Sequence, residues 1–304
     1  MSHRRTEWSG VFVVAVTPFD RRGGLDEAET RRMIDMFVDD GVDGIILAGS
    51  TGEWFAMDDA ERKELFRIGA AQNRGRVKLL AGSTAIATRS AVELTEAARN
   101  LGLDGTLILP PPYVLPTERE LIAYFAAVDE VGLPMMLYNN PGRTGVNLDA
   151  RLIAKLLPCK SFVALKDSAR DLAQVSATLR AHRDELAIFT GFESYIVPCA
   201  QRGGAGVVAM AVNILGRQAV ALLRHAERGE WESVAPLQEK IDRIYDRMYN
   251  GQSNPYAVIK EAMRIVGRHG GWPRPPLLPP SETESRAMAD LLEELGALPR
   301  VAAQ

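Results

Sequence analysis

The chain has 304 residues, 46% of them hydrophobic, and carries 36 basic against 39 acidic side chains for a net charge of −3. That composition supplies a large core, and the absence of a basic excess argues against nucleic acid as the main partner, because neutralising phosphates needs a basic face. No apolar run approaches the ~20 residues of a membrane span, and the N-terminus lacks an apolar signal segment, so a cytoplasmic protein with no membrane partner is expected.

Along the chain one pattern repeats: a short apolar run ends in Gly, Ser, Thr, Pro or Asn, and an amphipathic stretch follows. The runs cover 11–16, 44–47, 77–81, 105–109, 134–138, 162–165, 187–189 and 206–209. Helical patterns lie between them, at 26–40 with Met33, Ile34, Phe37 and Val38 on one face, at 58–71, and at 117–131, where Thr117 and Glu120 form a capping box. Continuous apolar strands alternating with helices predict a parallel sheet covered by helices. Eight such units favour a closed (β/α)₈ barrel, which takes ~250 residues. A doubly wound sheet would instead want a Gly-x-Gly-x-x-Gly loop after the first strand, where Thr17-Pro18-Phe19-Asp20 stands.

From about residue 214 the chain reads as helices. Val234, Leu237, Ile241, Ile244 and Met248 mark one helix face, with Pro236 near its start or kinking it. A second helix is predicted at 253–266, opened by a capping Ser253, and a last one at 283–295 after a proline-rich connector. The expected division is therefore a barrel core over 1–213 and C-terminal helices over 214–304, packed on it as one structural unit.

Active sites of such barrels lie at the C-terminal ends of the strands. Gly49-Ser50-Thr51-Gly52-Glu53 follows the second strand and Pro110-Pro111-Pro112-Tyr113 the fourth. The fifth strand ends in Tyr138-Asn139-Asn140-Pro141-Gly142-Arg143, the sixth in Lys166-Asp167-Ser168, and the seventh in Thr190-Gly191-Phe192-Glu193. Lys166 is the sharpest of these. Burial there would depress its pKa, and a neutral amine forms a Schiff base with a carbonyl. The plainer alternative is a strand-end lysine that snorkels to solvent or pairs with Asp167. Tyr138 is either a proton shuttle or an ordinary aromatic at the barrel mouth, and Arg143 either a carboxylate clamp or a solvated loop residue. The Gly49–Gly52 backbone is either an anion cradle or a plain turn. His3, His182, His225 and His269 show no ligand spacing, and Cys159 and Cys199 make neither a disulfide framework nor a zinc motif, so no metal is expected.

Taken in order, Gly10-Val11-Phe12 through Thr17-Pro18-Phe19, Gly49–Glu53, Pro112-Tyr113 with Pro116-Thr117, Tyr138-Asn139-x-Pro141-x-Arg143-Thr144-Gly145 and Leu165-Lys166-Asp167-Ser168 resemble the dihydrodipicolinate synthase / N-acetylneuraminate lyase family. The resemblance runs from about Gly10 to Asn254-Pro255. It implies a (β/α)₈ barrel with a C-terminal helical extension and a class I lyase or synthase acting on pyruvate or another 2-keto acid and an aldehyde. It also implies no cofactor beyond the covalent imine, and a homotetramer built as a dimer of dimers. By position it makes Lys166 the Schiff-base lysine, Tyr138 the acid/base, and Ser50 and Tyr113 a proton relay with Tyr138, Tyr113 arriving from a neighbouring subunit. Ser50, Thr51 and Gly191 would surround the keto-acid carboxylate, Val208 would line the substrate site, and Arg143 would bind a second carboxylate.

Tyr113 with Arg143 resembles the branch that condenses pyruvate with aspartate semialdehyde to 4-hydroxy-tetrahydrodipicolinate. Ser50 stands where most synthases have threonine and is common in the aldolase branches, and Pro112 stands where many synthases have a second tyrosine, so an aldolase or dehydratase of a 2-keto-3-deoxy sugar acid or of 4-hydroxy-2-oxoglutarate is the second reading. A non-catalytic keto-acid-binding paralogue is a third reading, opposed by the intact Lys166 and Tyr138. Where regulated synthases hold lysine with polar groups, this chain has Trp54, Phe55, Ile86 and Ser90, so insensitivity to lysine is expected.

Overall fold

The structure, a computed structural model, describes residues 6–298. His3 and the first five residues of the N-terminal segment considered above lie outside the described residues. Eight strands, β1 (Gly10–Val14), β2 (Gly44–Leu47), β3 (Lys78–Gly82), β4 (Gly105–Ile108), β5 (Met135–Asn139), β6 (Phe162–Asp167), β7 (Ala187–Thr190) and β8 (Gly206–Ala209), pair in parallel and in order. β8 returns to β1 with Gly10 opposite Gly206 and Val13 opposite Ala209, which closes the barrel. Each predicted strand is present within two residues of its expected ends.

Helices α1 (Glu27–Asp40), α2 (Asp59–Asn73), α3 (Thr88–Asn100) and α4 (Glu118–Asp129) follow the first four strands, and the short α5 (Pro141–Thr144) follows β5 directly. Then come α6 (Ala150–Leu156), α7 (Leu172–His182), α8 (Ile196–Ala200), α9 (Val212–Leu215) and α10 (Arg217–Arg228). Side-chain oxygens of Asp26, Asp58, Thr117, Asp149 and Asp171 accept from the first-turn amides of their helices, and the Thr117/Glu120 capping box is formed as predicted. The C-terminal helices are α11 (Trp231–Tyr249), with Pro236 near its start, α12 (Pro255–Ile265) and α13 (Glu282–Glu294). The expected cap at Ser253 is corrected. Asn254 accepts from Tyr256 N at 3.0 Å and caps α12, while Ser253 Oγ donates to Glu284 at 2.8 Å, because Glu284 reaches back from the capping box of α13. Among the described residues no helix is long and apolar enough to cross a membrane.

Two features of the barrel set the stage for chemistry. Its floor is closed by Phe12 and Phe189, whose rings meet edge-to-face at 5.1 Å, and Gly44 leaves the room they need, since a Cβ there would stand 2.4 Å from the Phe12 ring. The second is a bulge. Phe162 pairs with Met135, but the next pair is Ala164 with Met136, leaving Val163 unpaired. Phe162 packs with the layer between strands and helices, whereas Ala164 packs in the barrel cluster with Met136 and Tyr138. Strict alternation from Phe162 would turn residue 166 outward. The extra residue shifts the register by one and turns Lys166 inward, opposite Tyr138.

Candidate active site

A cavity of about 290 Å³ opens at the C-terminal ends of the strands. Ser50, Thr51, Tyr138, Arg143, Lys166 and Gly191 all line it, so six of the eight residues singled out above converge. Two do not. Val208 is fully buried in mid-β8, in register with Phe12, and Met210, two residues further toward the mouth, forms that wall instead. Tyr113 is 88% exposed, with φ at +75°, and contributes nothing to the cavity of its own chain.

Lys166 is 4% exposed. Its amine lies 4.0 Å from the Tyr138 ring centroid. Burial pulls its pKa down to about 7, against the opposing pull of the Glu193 carboxylate. Pairing with Asp167 does not occur. That carboxylate points out of the barrel, where it accepts from Ala169 N at 2.8 Å, Gln174 Nε2 at 3.4 Å and Asn139 Nδ2 at 3.5 Å. Gly191 makes room for the lysine: a Cβ there would fall 1.8 Å from Ser168 Oγ and 2.9 Å from Lys166 Cε.

The Tyr138 hydroxyl accepts from Asn140 Nδ2 at 2.8 Å. Burial raises its pKa, while Asn140, Ser168 and the Arg143 charge favour the phenolate. Glu193 is fully buried and accepts from Met210 N at 2.7 Å and Ala211 N at 2.8 Å, which keeps a carboxylate behind the lysine without exposing it to the cavity. Asn213 completes that rim by donating to Val14 O at 3.0 Å and Met210 O at 2.9 Å, tying the ends of β1 and β8 together.

The loop that carries Ser50 and Thr51 is held from two sides. Thr17 Oγ1 donates to Gly52 O at 2.6 Å. Glu53 forms an ion pair with Lys260 of α12, both at most 1% exposed, and accepts from Arg274 N at 3.0 Å. The same helix brings in Tyr256, a cavity residue absent from the sequence reading. Its ring sits 5.5 Å from the Arg143 guanidinium, and its hydroxyl faces Ser50 and Arg143, which offset part of the upward pKa shift caused by burial. Tyr249 and Arg170 are further lining residues that sequence reasoning missed, and Phe192, noted only as part of the β7 end, lines the cavity with them. The cavity therefore joins an amine that is substantially neutral near pH 7 to phenols, hydroxyls and guanidinium groups able to hold a carboxylate and move protons.

The sequence model of the Dihydrodipicolinate synthetase family matches residues 7–295. An uncharacterized DapA-like lyase of Rhizobium meliloti is 37% identical over 294 residues, covering 97% of each chain. The 4-hydroxy-tetrahydrodipicolinate synthase of Geotalea uraniireducens is 33% identical over 292 residues, 96% of this chain and all of the relative. Among solved structures, a prophage protein of the dihydrodipicolinic acid synthase family from E. coli K12, in complex with pyruvate, superposes with a TM-score of 0.91 at 28% identity, covering 95% and 99% of the two chains. Dihydrodipicolinate synthase from Aquifex aeolicus superposes at 0.89 and 27% identity, covering 96% and 100%.

Proposed function

This chain belongs to the Dihydrodipicolinate synthetase family, and from that premise we propose that it is a Schiff-base lyase that joins or cleaves a 2-keto acid and an aldehyde through Lys166. The observation that carries the reading is the Lys166 amine, buried, drawn down to about pKa 7 and 4.0 Å from the Tyr138 ring.

In the condensing direction the free amine attacks C2 of pyruvate, and water leaves to give an iminium. Its positive charge is the electron sink, so a proton departs from the methyl carbon, with Tyr138 as acid/base and Ser50, which lines the same cavity, as relay. The enamine attacks the aldehyde carbonyl, forming the carbon–carbon bond, and the new alkoxide takes a proton back. Water then hydrolyses the imine and frees Lys166. Reversal cleaves the same bond. Ser50, Thr51 and Gly191 surround the keto-acid carboxylate, Met210 rather than Val208 supplies the apolar wall, and Arg143 faces the second reactant. No cofactor takes part.

For the aldehyde, Arg143 and relatives such as the Geotalea synthase support aspartate semialdehyde, and hence a 4-hydroxy-tetrahydrodipicolinate synthase. Ser50 and the phenols of Tyr249 and Tyr256 in the cavity favour a second reading, an aldolase or dehydratase of a 2-keto-3-deoxy sugar acid or 4-hydroxy-2-oxoglutarate. Either enzyme is insensitive to lysine: Phe55 and Ile86 are 42% and 51% exposed and offer an amino-acid head group nothing polar. Exposed Tyr113, Val114 and Leu115 form an apolar tip suited to a subunit interface, consistent with a tetramer of two dimers in which Tyr113 reaches a neighbour's cavity. The free thiols of Cys159 and Cys199 suit a reducing cytoplasm.

The test is to incubate the protein with pyruvate and borohydride and map the modified peptide by mass spectrometry. A reduced pyruvyl adduct on Lys166, absent from Lys166→Ala, is expected. Failure of pyruvate and longer 2-keto acids alike to label Lys166 refutes the reading and leaves a binding protein.

A further inference from the structure

The lining of the cavity is one-sided in charge. Lys166, Arg143 and Arg170 face it, and among the described residues that line it there is no aspartate or glutamate. The nearest acids are engaged elsewhere, Glu193 by the amides of Met210 and Ala211, and Asp167 by Asn139, Gln174 and Ala169.

Arg170 is the unusual member. It stands four residues past Lys166, with φ at +57°, a conformation L side chains rarely adopt and glycine adopts freely. Its guanidinium lies 5.0 Å from the Phe192 ring and 5.2 Å from the Tyr249 ring, so two aromatic faces hold it at the cavity mouth. Among the described residues it makes no ion pair and no hydrogen bond. Neighbouring Asp171 instead caps α7, and Asp242 and Asp246, which share the adjoining groove with Arg170, do not pair with it. A planar fork of donors, oriented by stacking and left without an acid, is suited to bidentate capture of a carboxylate.

Resting on the Schiff-base reading above, and deciding between its two aldehyde readings against aspartate semialdehyde, we propose that Arg170 is a specificity-determining residue which, with Arg143, holds a carboxylate at the distal end of the substrate, and that the aldehyde-derived half carries no ammonium group. The substrate class is then a dicarboxylic 2-keto acid. One carboxylate lies by Ser50, Thr51 and Gly191, and the other is at the mouth between two guanidinium groups. An ammonium there would be desolvated beside the guanidinium groups of Arg143 and Arg170, with no aspartate or glutamate among the described lining residues to offset it.

The experiment offers pyruvate together with one of three four-carbon aldehydes: succinate semialdehyde with a carboxylate alone, aspartate semialdehyde with a carboxylate and an ammonium, or butanal with neither. Condensation is followed by loss of each aldehyde. Borohydride trapping of pyruvate on the wild-type protein is run alongside. If trapping fails, the Schiff-base reading itself is wrong. With trapping intact, succinate semialdehyde is expected to exceed both others in kcat/KM by about tenfold or more, the worth of one charged hydrogen-bonding partner. Arg170→Gly should erase most of that preference through KM, and Arg170→Lys should restore part of it. Glycine suits the φ of +57°, so Arg170→Gly should melt no lower than wild type, which separates lost recognition from lost folding. Equal use of the three aldehydes, preference for aspartate semialdehyde, turnover of neither carboxylated aldehyde, or a preference unchanged in Arg170→Gly would each overturn the proposal.

Discussion

Titrating the trapping reaction tests the central chemistry most directly. Lys166 sits at about pKa 7 instead of 10.5 because burial disfavours the ammonium. At pH 7.5 a group of pKa about 7 is roughly three-quarters free amine, against about one part in a thousand for a solvated lysine, a gain of roughly 700-fold in nucleophile. The single-turnover rate of cyanoborohydride trapping with pyruvate should therefore rise with a midpoint near pH 7 and level off by pH 8.5. Replacing Glu193 by Gln removes the charge that holds this pKa up, so the midpoint should move lower. The amide oxygen of Gln can still accept from Met210 N and Ala211 N. The same shift acts on folding. Because the folded-state pKa lies below the unfolded one, the unfolded chain binds the extra proton between about 7 and 10.5. The penalty is complete below pH 7 and gone above 10.5, and at pH 7.5 it is about 4 kcal/mol. Lys166→Met should thus abolish the adduct and raise Tm by several degrees at pH 7.5, with the difference shrinking toward pH 10. A trapping rate that climbs tenfold per pH unit to pH 10, with no stability gain in Lys166→Met, would show an ordinary ammonium and sink the argument.

Gly191→Ala should slow trapping by about 100-fold, because the new methyl would stand 1.8 Å from Ser168 Oγ and 2.9 Å from Lys166 Cε and must displace the lysine. A stopped-flow rate within threefold of wild type would contradict that crowding. Lys260→Met strands the buried Glu53 carboxylate and should cost about 3–5 kcal/mol in denaturant unfolding. Adding Glu53→Gln should recover part of the loss, whereas additive losses would mean that the pair is not coupled. Lysine at millimolar concentration should leave the condensation rate unchanged, and saturable inhibition would place a polar effector site that Phe55 and Ile86 do not offer.

The barrel was legible because strands buried on both faces read as unbroken apolar runs, and each run located its strand within two residues. Lys166, Tyr138, Arg143 and the Ser50–Thr51 loop were legible for a related reason: they stand at the ends of those runs, where polar groups meet the barrel mouth. What hid was anything depending on aim. Alternation from Phe162 turns Lys166 outward, and only the unpaired Val163 turns it in, a register change with no glycine or proline to announce it. Val208 does not line the cavity for the complementary reason. Its strand position is right, but depth along β8 decides between lining a cavity and filling the floor, and Met210 is the residue at the right depth.

Tyr256 and Tyr249 reach the site from helices more than eighty residues beyond Lys166, so nothing local joined them to it. One signal was present: Asn254 and Pro255 start α12 abruptly, and the phenol one residue later falls on a helix whose next seven residues are all buried. A tyrosine there needs a partner for its hydroxyl, and the nearest supply is the strand-end loop that α12 covers. The Glu53–Lys260 pair fixes that contact. Apolar residues in its place could hold α12 against the loop just as firmly, but would allow it to slide; two charges that are costly to separate do not. The pair thus sets the position of Tyr256 over Ser50 and Arg143. On this argument the C-terminal helices are a wall of the active site as well as a cover for the barrel, and loosening α12 should degrade substrate recognition before it degrades the fold.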